Sequence, residues 1–116
     1  MASWVNSHSR PSDYVIAMPE VAWLLRCRTG ELLQAVAISG QGTAFYPSGL
    51  TADRFAWDTR LTAARYLVVD RFTEIWILDH PGERALVETA QRAWLLVYSR
   101  GEFRVYSNAH PVSASL

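Results

Sequence analysis

The stretch 19-PEVAWLLRCRTGELLQAVAISG-40 decides how the rest of the chain is read. Pro19 suits a first helical position, because its missing N–H would be unpaired there anyway. Val21, Leu24 and Leu25 follow at helical spacing, with Glu20 in the first turn. Arg26-Cys27-Arg28 reads as a turn. Thr29 is then placed to cap a second helix, with Glu31 near its positive end. Leu32, Leu33, Val36 and Ala37 would form its buried stripe, and Gly40 and Gly42 would stop it. The expectation is a pair of short helices at the head of the domain.

Working outward, residues 1–13 are small and polar with Pro11 and read as a flexible arm. Tyr14–Ala17 reads as a short strand. Beyond the helical pair, Thr43–Tyr46 is expected to be a strand, closed by Pro47-Ser48-Gly49. Thr51 could cap a third helix carrying Phe55, Ala56, Ala63 and Ala64. Tyr66–Asp70 and Glu74–Leu78 read as two strands, since β-branched and aromatic residues dominate them. A single helix through Val68, Phe72, Ile75 and Trp76 is the competing reading. Residues 80–93 give the best helix pattern, with Asp79 as cap, Pro81 in the first turn and an Arg84/Glu88 pair four apart. Trp94–Ser99 and Glu102–Ser107 flank Arg100-Gly101, a hairpin signal. Phe103 and Val105 then share one face, Arg104 and Tyr106 the other. Residues 108–116 read as a C-terminal tail, leaving 14–107 as one domain. The fold class expected is α+β: an N-terminal helical pair, then a mainly antiparallel sheet of four or five strands with one well-formed helix at 80–93.

Composition narrows the chemistry. The 116 residues carry 11 basic and 11 acidic side chains, a net charge of zero. Every basic residue is arginine. The missing lysine excludes a Walker-type phosphate loop, Schiff-base and pyridoxal chemistry, and nucleases that need a lysine beside their carboxylates. Arginine with abundant alanine is also the bias of GC-rich bacterial or phage genes. One cysteine, Cys27, allows no internal disulfide and fits a reducing compartment, so a cytoplasmic setting is expected. No basic start leads into an apolar run, and no stretch of 18 apolar residues occurs, so neither a signal peptide nor a membrane span is expected.

Pro19-Glu20-Val21-Ala22 followed by Leu24-Leu25 resembles the first helix of the helix-turn-helix in excisionase- and MerR-like proteins. The resemblance spans about residues 18–47. It implies a recognition helix at 29–38 and a wing at 40–46, with Arg26, Arg28, Thr29 and Gln34 as the nucleic-acid contacts. The second segment departs from that pattern. It holds no arginine, and its long polar side chains are Glu31 and Gln34 alone, whereas duplex reading needs donors for base edges and cations for phosphates.

Catalytic patterns are thin. His80 follows Asp79, and a hydrolytic triad with Ser99 or Ser107 can be imagined. No G-x-S-x-G motif supports it. His8, His80, His110 and Cys27 lack zinc-ligand spacing, so no metal and no cofactor are expected. The carboxylate pairs Asp53/Asp58 and Asp70/Glu74 suit a solvated surface as well as acid–base work. Five tryptophans, five tyrosines and the arginines are the composition of interface anchors. The reading reached is a non-enzymatic macromolecule-binding protein of adaptor, immunity or inhibitor type. Its expected contact residues are Trp57, Arg54, Arg60, Arg65, Arg104 and Tyr106, with a protein partner and an exposed edge at Glu102–Tyr106 for homodimer pairing. A winged-helix regulator is the first alternative and a small hydrolase the second.

Overall fold

The computed structural model describes residues 1–43 and 45–112. The class is α+β. Five strands form one mixed sheet in the order β2-β1-β3-β5-β4. They are β1 (Tyr14–Ile16), β2 (Arg28–Gly30), β3 (Tyr66–Val69), β4 (Leu95–Arg100) and β5 (Phe103–Ser107). β2, β1 and β3 run parallel, and β3-β5 and β5-β4 are antiparallel. The sheet is therefore mixed rather than mainly antiparallel.

The helices are α1 (Ala2–His8), α2 (Pro19–Ala22), α3 (Leu32–Ala37), α4 (Arg71–Trp76) and α5 (Pro81–Ala93). Strand alternation sorts the core into two layers. Tyr14, Ile16, Leu67, Val69 and Tyr106 face Leu32 and Ala35 of α3 and Val87 and Ala90 of α5. Val15, Tyr66, Val68 and Val105 face Val5 of α1 and Val21 of α2. Every residue of β1 and β3 is buried, as expected of strands covered on both faces. The crossover from β1 to β2 passes over the α2 face. The one from β2 to β3 returns in the opposite direction over the α3 face. Reversing both direction and face preserves the hand, so the two crossovers share one chirality.

The opening stretch folds differently from its periodicity. α2 is a single turn, and Arg28-Thr29-Gly30 is a strand pairing in parallel with Tyr14–Ile16. Thr29 sits inside that strand, and Glu31, not Thr29, occupies the N-cap of α3. There Gln34 Oε1 accepts the Glu31 N–H at 2.9 Å. An Arg-Thr-Gly strand has no apolar alternation because it is a sheet edge. Gly30 is required there: a Cβ would stand 2.5 Å from Tyr14 Oη and 2.8 Å from Tyr14 Cε1.

Other expectations are corrected. In place of a flexible arm, residues 2–8 form α1, anchored by the fully buried Val5. At 43–46 the described residues make a turn closed by Thr43 N–H to Tyr46 O at 2.8 Å, and the rest of that expected strand, Ala44, lies outside the described residues. The third helix is two separate 3-10 turns, Ala52–Arg54 and Leu61–Ala63. Glu74–Leu78 is not a strand. Asp70 caps α4 by accepting the Thr73 N–H at 2.7 Å and the Thr73 hydroxyl at 2.8 Å, and this cap overrides β-propensity. Asp79 lies in a 3-10 turn, and His80 takes the N-cap position of α5. Trp76 and Trp94 are half-buried against the core. β5 is interior, so the sheet edges are β2 and β4 and not 102–106. Of the expected tail, 108–112 packs back: Asn108 N–H donates to Arg65 O at 2.9 Å and Val112 N–H to Thr62 O at 2.8 Å. Residues 113–116 lie outside the described residues.

Candidate functional site

Parallel strands begin at the same end of the sheet. Asp13 precedes β1, Arg28 opens β2 and Arg65 precedes β3. Tyr14 pairs with Arg28, and the Arg65 N–H donates to Tyr14 O at 2.8 Å. Tyr14 faces the α3/α5 layer, Arg28 stands in register beside it, and the Arg65 guanidinium carbon lies 5.2 Å from the centroid of the Tyr66 ring at the same end of the sheet.

The loop 55–60 closes over that end. Asp58 is 1 % exposed and is gripped by Arg60, whose Nε lies 2.9 Å from each carboxylate oxygen and whose N–H donates to Oδ1 at 3.0 Å. These bonds hold the Asp58 carboxyl below its usual range against the opposing effect of burial. Tyr14 Oη donates to Thr59 O at 3.2 Å, and Thr59 Oγ1 donates to Gln34 O at 3.2 Å. Burial first, then the Asp58 charge, pushes the Tyr14 phenol well above its ordinary value. It therefore remains a neutral donor. The loop is thus fixed from both sides, and Trp57 is held with its ring 5.9 Å from the Arg28 guanidinium carbon.

What results is a cleft of about 170 Å³ lined by Asp13, Tyr14, Arg28, Trp57, Asp58 and Arg65, with Pro111 and Val112 on its rim. Two features mark it. Trp57 Nε1 and Arg65 Nε are the two buried side-chain nitrogens or oxygens among the described residues that have no hydrogen-bond partner. Both residues line this cleft. Arg65 Nε stands 3.9 Å from Asp13 Oδ2, an ion-pair distance too long for a hydrogen bond. Arg28 has no ion pair among the described residues and its side chain is exposed.

The residues singled out by sequence are only partly assembled here. Trp57 and Arg65 come together, joined by Arg28 from the expected nucleic-acid set. Arg60 is spent on Asp58. Arg54 is exposed on the 3-10 turn Ala52–Arg54. Arg104 lies on β5 and pairs with Glu74 at 2.8 Å, and Tyr106 is 8 % exposed with its hydroxyl accepting from Gln91. Arg104 and Tyr106 therefore do not join the Trp57 surface. Arg26 is exposed, its backbone N–H held by Asn6 Oδ1 at 2.9 Å. Gln34 is tied into the start of α3 and Thr29 into β2. Leu32, Leu33, Ala35, Val36 and Ala37 of α3 are all buried, so that helix has no free face for a duplex. Asp13 and Tyr14 are cleft residues that sequence reasoning did not select, and Asp58, expected to pair with Asp53 on a solvated surface, is instead buried against Arg60. The Asp58-x-Arg60 spacing is their one local signal.

Elsewhere the chemistry is structural. His80 Nδ1 is 2.6 Å from Trp76 O, and its ring stacks on Trp76 at 4.1 Å. Asp70 serves as a helix cap. Asp53 accepts from Thr51 on an exposed turn. No group of three or more metal-ligating side chains occurs among the described residues, and among them no helix is long and apolar enough to cross a membrane.

Fold and cleft together define a three-layer α+β protein with an arginine- and tryptophan-lined cleft at the amino ends of its parallel strands. Comparison of the chain with protein-family models, curated proteins and solved structures gives no match.

Proposed function

We propose that this is a non-enzymatic binding protein, of adaptor, immunity or inhibitor type, that engages a protein partner through the surface around Arg28, Trp57 and Arg65. The observation that carries this reading is the pair of unspent donors in one cleft. Interfaces draw most of their energy from tryptophan, tyrosine and arginine seated in well-packed, desolvated positions. Trp57 is such an anchor. It is half-buried and fixed by the 55–60 loop, with Arg28 over its ring and Arg65, whose guanidinium lies over the Tyr66 ring and whose Nε has no acceptor, lining the same cleft. The reading assigns no catalytic role.

The test is affinity capture from a bacterial lysate with the wild-type chain and with an R28A/R65A variant of unchanged unfolding midpoint. The reading expects a protein retained by the wild type and lost by the variant. Retention that ignores both arginines would overturn it. So would steep salt-dependent binding to a DNA duplex with no protein captured, which marks phosphate neutralisation.

A further inference from the structure

We infer that the cleft at the amino ends of β1, β2 and β3 is a carboxylate-binding site, taking an acidic side chain or a terminal carboxylate of the partner. This rests on the binding reading above and adds the chemistry of what is bound.

The two unpaired buried atoms, Trp57 Nε1 and Arg65 Nε, are both N–H donors. A buried donor without an acceptor costs free energy, and native structures rarely leave one unexplained. A group that satisfies both is therefore an acceptor. Its charge follows from the side chains around it. Of the charged residues lining the cleft, the Asp58 carboxylate is met by Arg60 outside it, which leaves Arg28 and Arg65 against Asp13, a surplus of one positive charge. A monoanion cancels that surplus. A phosphate dianion would overshoot it.

Geometry agrees. Asp13 balances Arg65 from 3.9 Å without taking its Nε proton. Arg60 holds Asp58 through Nε and Nη2, and that pair buttresses the loop. A carboxylate has two acceptor oxygens, enough for one indole N–H and one guanidinium N–H, and arginine binds such groups well. Arg28, above the Trp57 ring, adds a cation on the open side. The unpaired nitrogens are themselves covered, but the Arg65 side chain is 42 % exposed, so a rotamer change of the kind common at interfaces opens the approach.

The test is a ¹H–¹⁵N spectrum of the full chain, in which each tryptophan indole gives one signal. Trp57 is assigned by triple-resonance methods in the wild type, so no variant is needed for the assignment. Sodium acetate, an acidic peptide, inorganic phosphate and sodium chloride are titrated separately. The expected result is a saturable downfield shift of the Trp57 indole proton with acetate and the acidic peptide, in the millimolar range for acetate. The other four indoles should stay in place, and chloride should have no saturable effect. R28Q, at an exposed position, should weaken the acetate effect about tenfold, the loss expected for one charge-assisted contact. An unmoved Trp57 signal would overturn the inference. Phosphate saturating the site while acetate does not would overturn the charge argument. The two readings fail separately. Acetate binding without arginine-dependent capture removes the partner reading alone. Arginine-dependent capture with an unmoved Trp57 signal removes the carboxylate alone.

Discussion

Gly30→Ala distinguishes the two readings of the opening stretch by the sign of its effect. In a helix over residues 29–38 this position would lie in the first turn, and alanine would stabilise by about 0.5–1 kcal/mol through helix propensity. In the parallel sheet the new methyl meets Tyr14 Oη at 2.5 Å, Tyr14 Cε1 at 2.8 Å and Gln34 Oε1 at 2.9 Å. Tyr14 is 5 % exposed and cannot swing away. Overpacking of this kind costs about 1–3 kcal/mol. Displacing the ring also breaks the Tyr14 hydrogen bond to Thr59 O, worth about 1 kcal/mol. The reduced freedom of the unfolded chain returns about 0.4–1 kcal/mol. The net expectation is a loss of about 2–3 kcal/mol in a urea unfolding titration followed by circular dichroism. Adding Tyr14→Phe should recover part of the loss, because it removes the nearest clashing atom, and the two changes should be non-additive. A Gly30→Ala protein at least as stable as the wild type would refute the parallel pairing of β2 with β1.

Further predictions follow from single contacts. Val5→Ala should cost about 1.5–3 kcal/mol by chemical denaturation, since two buried methyl groups are lost at a fully enclosed position; a cost near zero would restore the loose-arm reading of residues 1–13. Asp70→Ala should cost about 1–2 kcal/mol for the α4 cap, while Asp70→Asn should retain most of the stability. Because the Asp58 carboxyl is held below its usual value in the folded chain, its stabilisation is present above about pH 4 and is lost as pH falls toward the folded value. The stability gap between wild type and Asp58→Asn should accordingly narrow on acidification below about pH 4, and a gap independent of pH would contradict the Arg60–Asp58 geometry. Burial raises the Cys27 thiol above its ordinary range, so the native chain should alkylate at neutral pH more slowly than the urea-unfolded chain.

The parts legible in the sequence are those with local, redundant signals. The 102–107 strand follows Arg100-Gly101, where Gly101 takes φ +58°, and α5 begins at Pro81 and carries the Arg84–Glu88 pair at 2.7 Å. β1 and the first half of 66–78 are visible as short, wholly apolar runs. β2 is hidden because an edge strand of Arg-Thr-Gly needs no apolar alternation, so helical spacing on either side dominates its reading. α4 is half hidden because β-branched and aromatic residues fill it, so the helical spacing of Phe72, Ile75 and Trp76 and the cap at Asp70 are outweighed. α1 is hidden because one buried valine anchors a short polar segment. The cleft is half legible for a similar reason. Residue type marks Trp57, Arg65 and Arg28, but as members of two unrelated groups. Their meeting depends on a contact between Tyr14 and Thr59, 45 positions apart, that no local pattern encodes.

All of this depends on residues 28–30 lying alongside 14–16, because that pairing brings Arg28 to the same end as Arg65 and Trp57. Nuclear Overhauser contacts across the two segments measure it directly. The structure predicts contacts between Val15 and Thr29 and between Ile16 and Gly30, with slow exchange of the Ala17 and Arg28 amide protons that donate to Gly30 O and Asp13 O at 3.0 Å each. An unbroken ladder of sequential amide contacts from Thr29 to Ile38, with none to Val15, would contradict it.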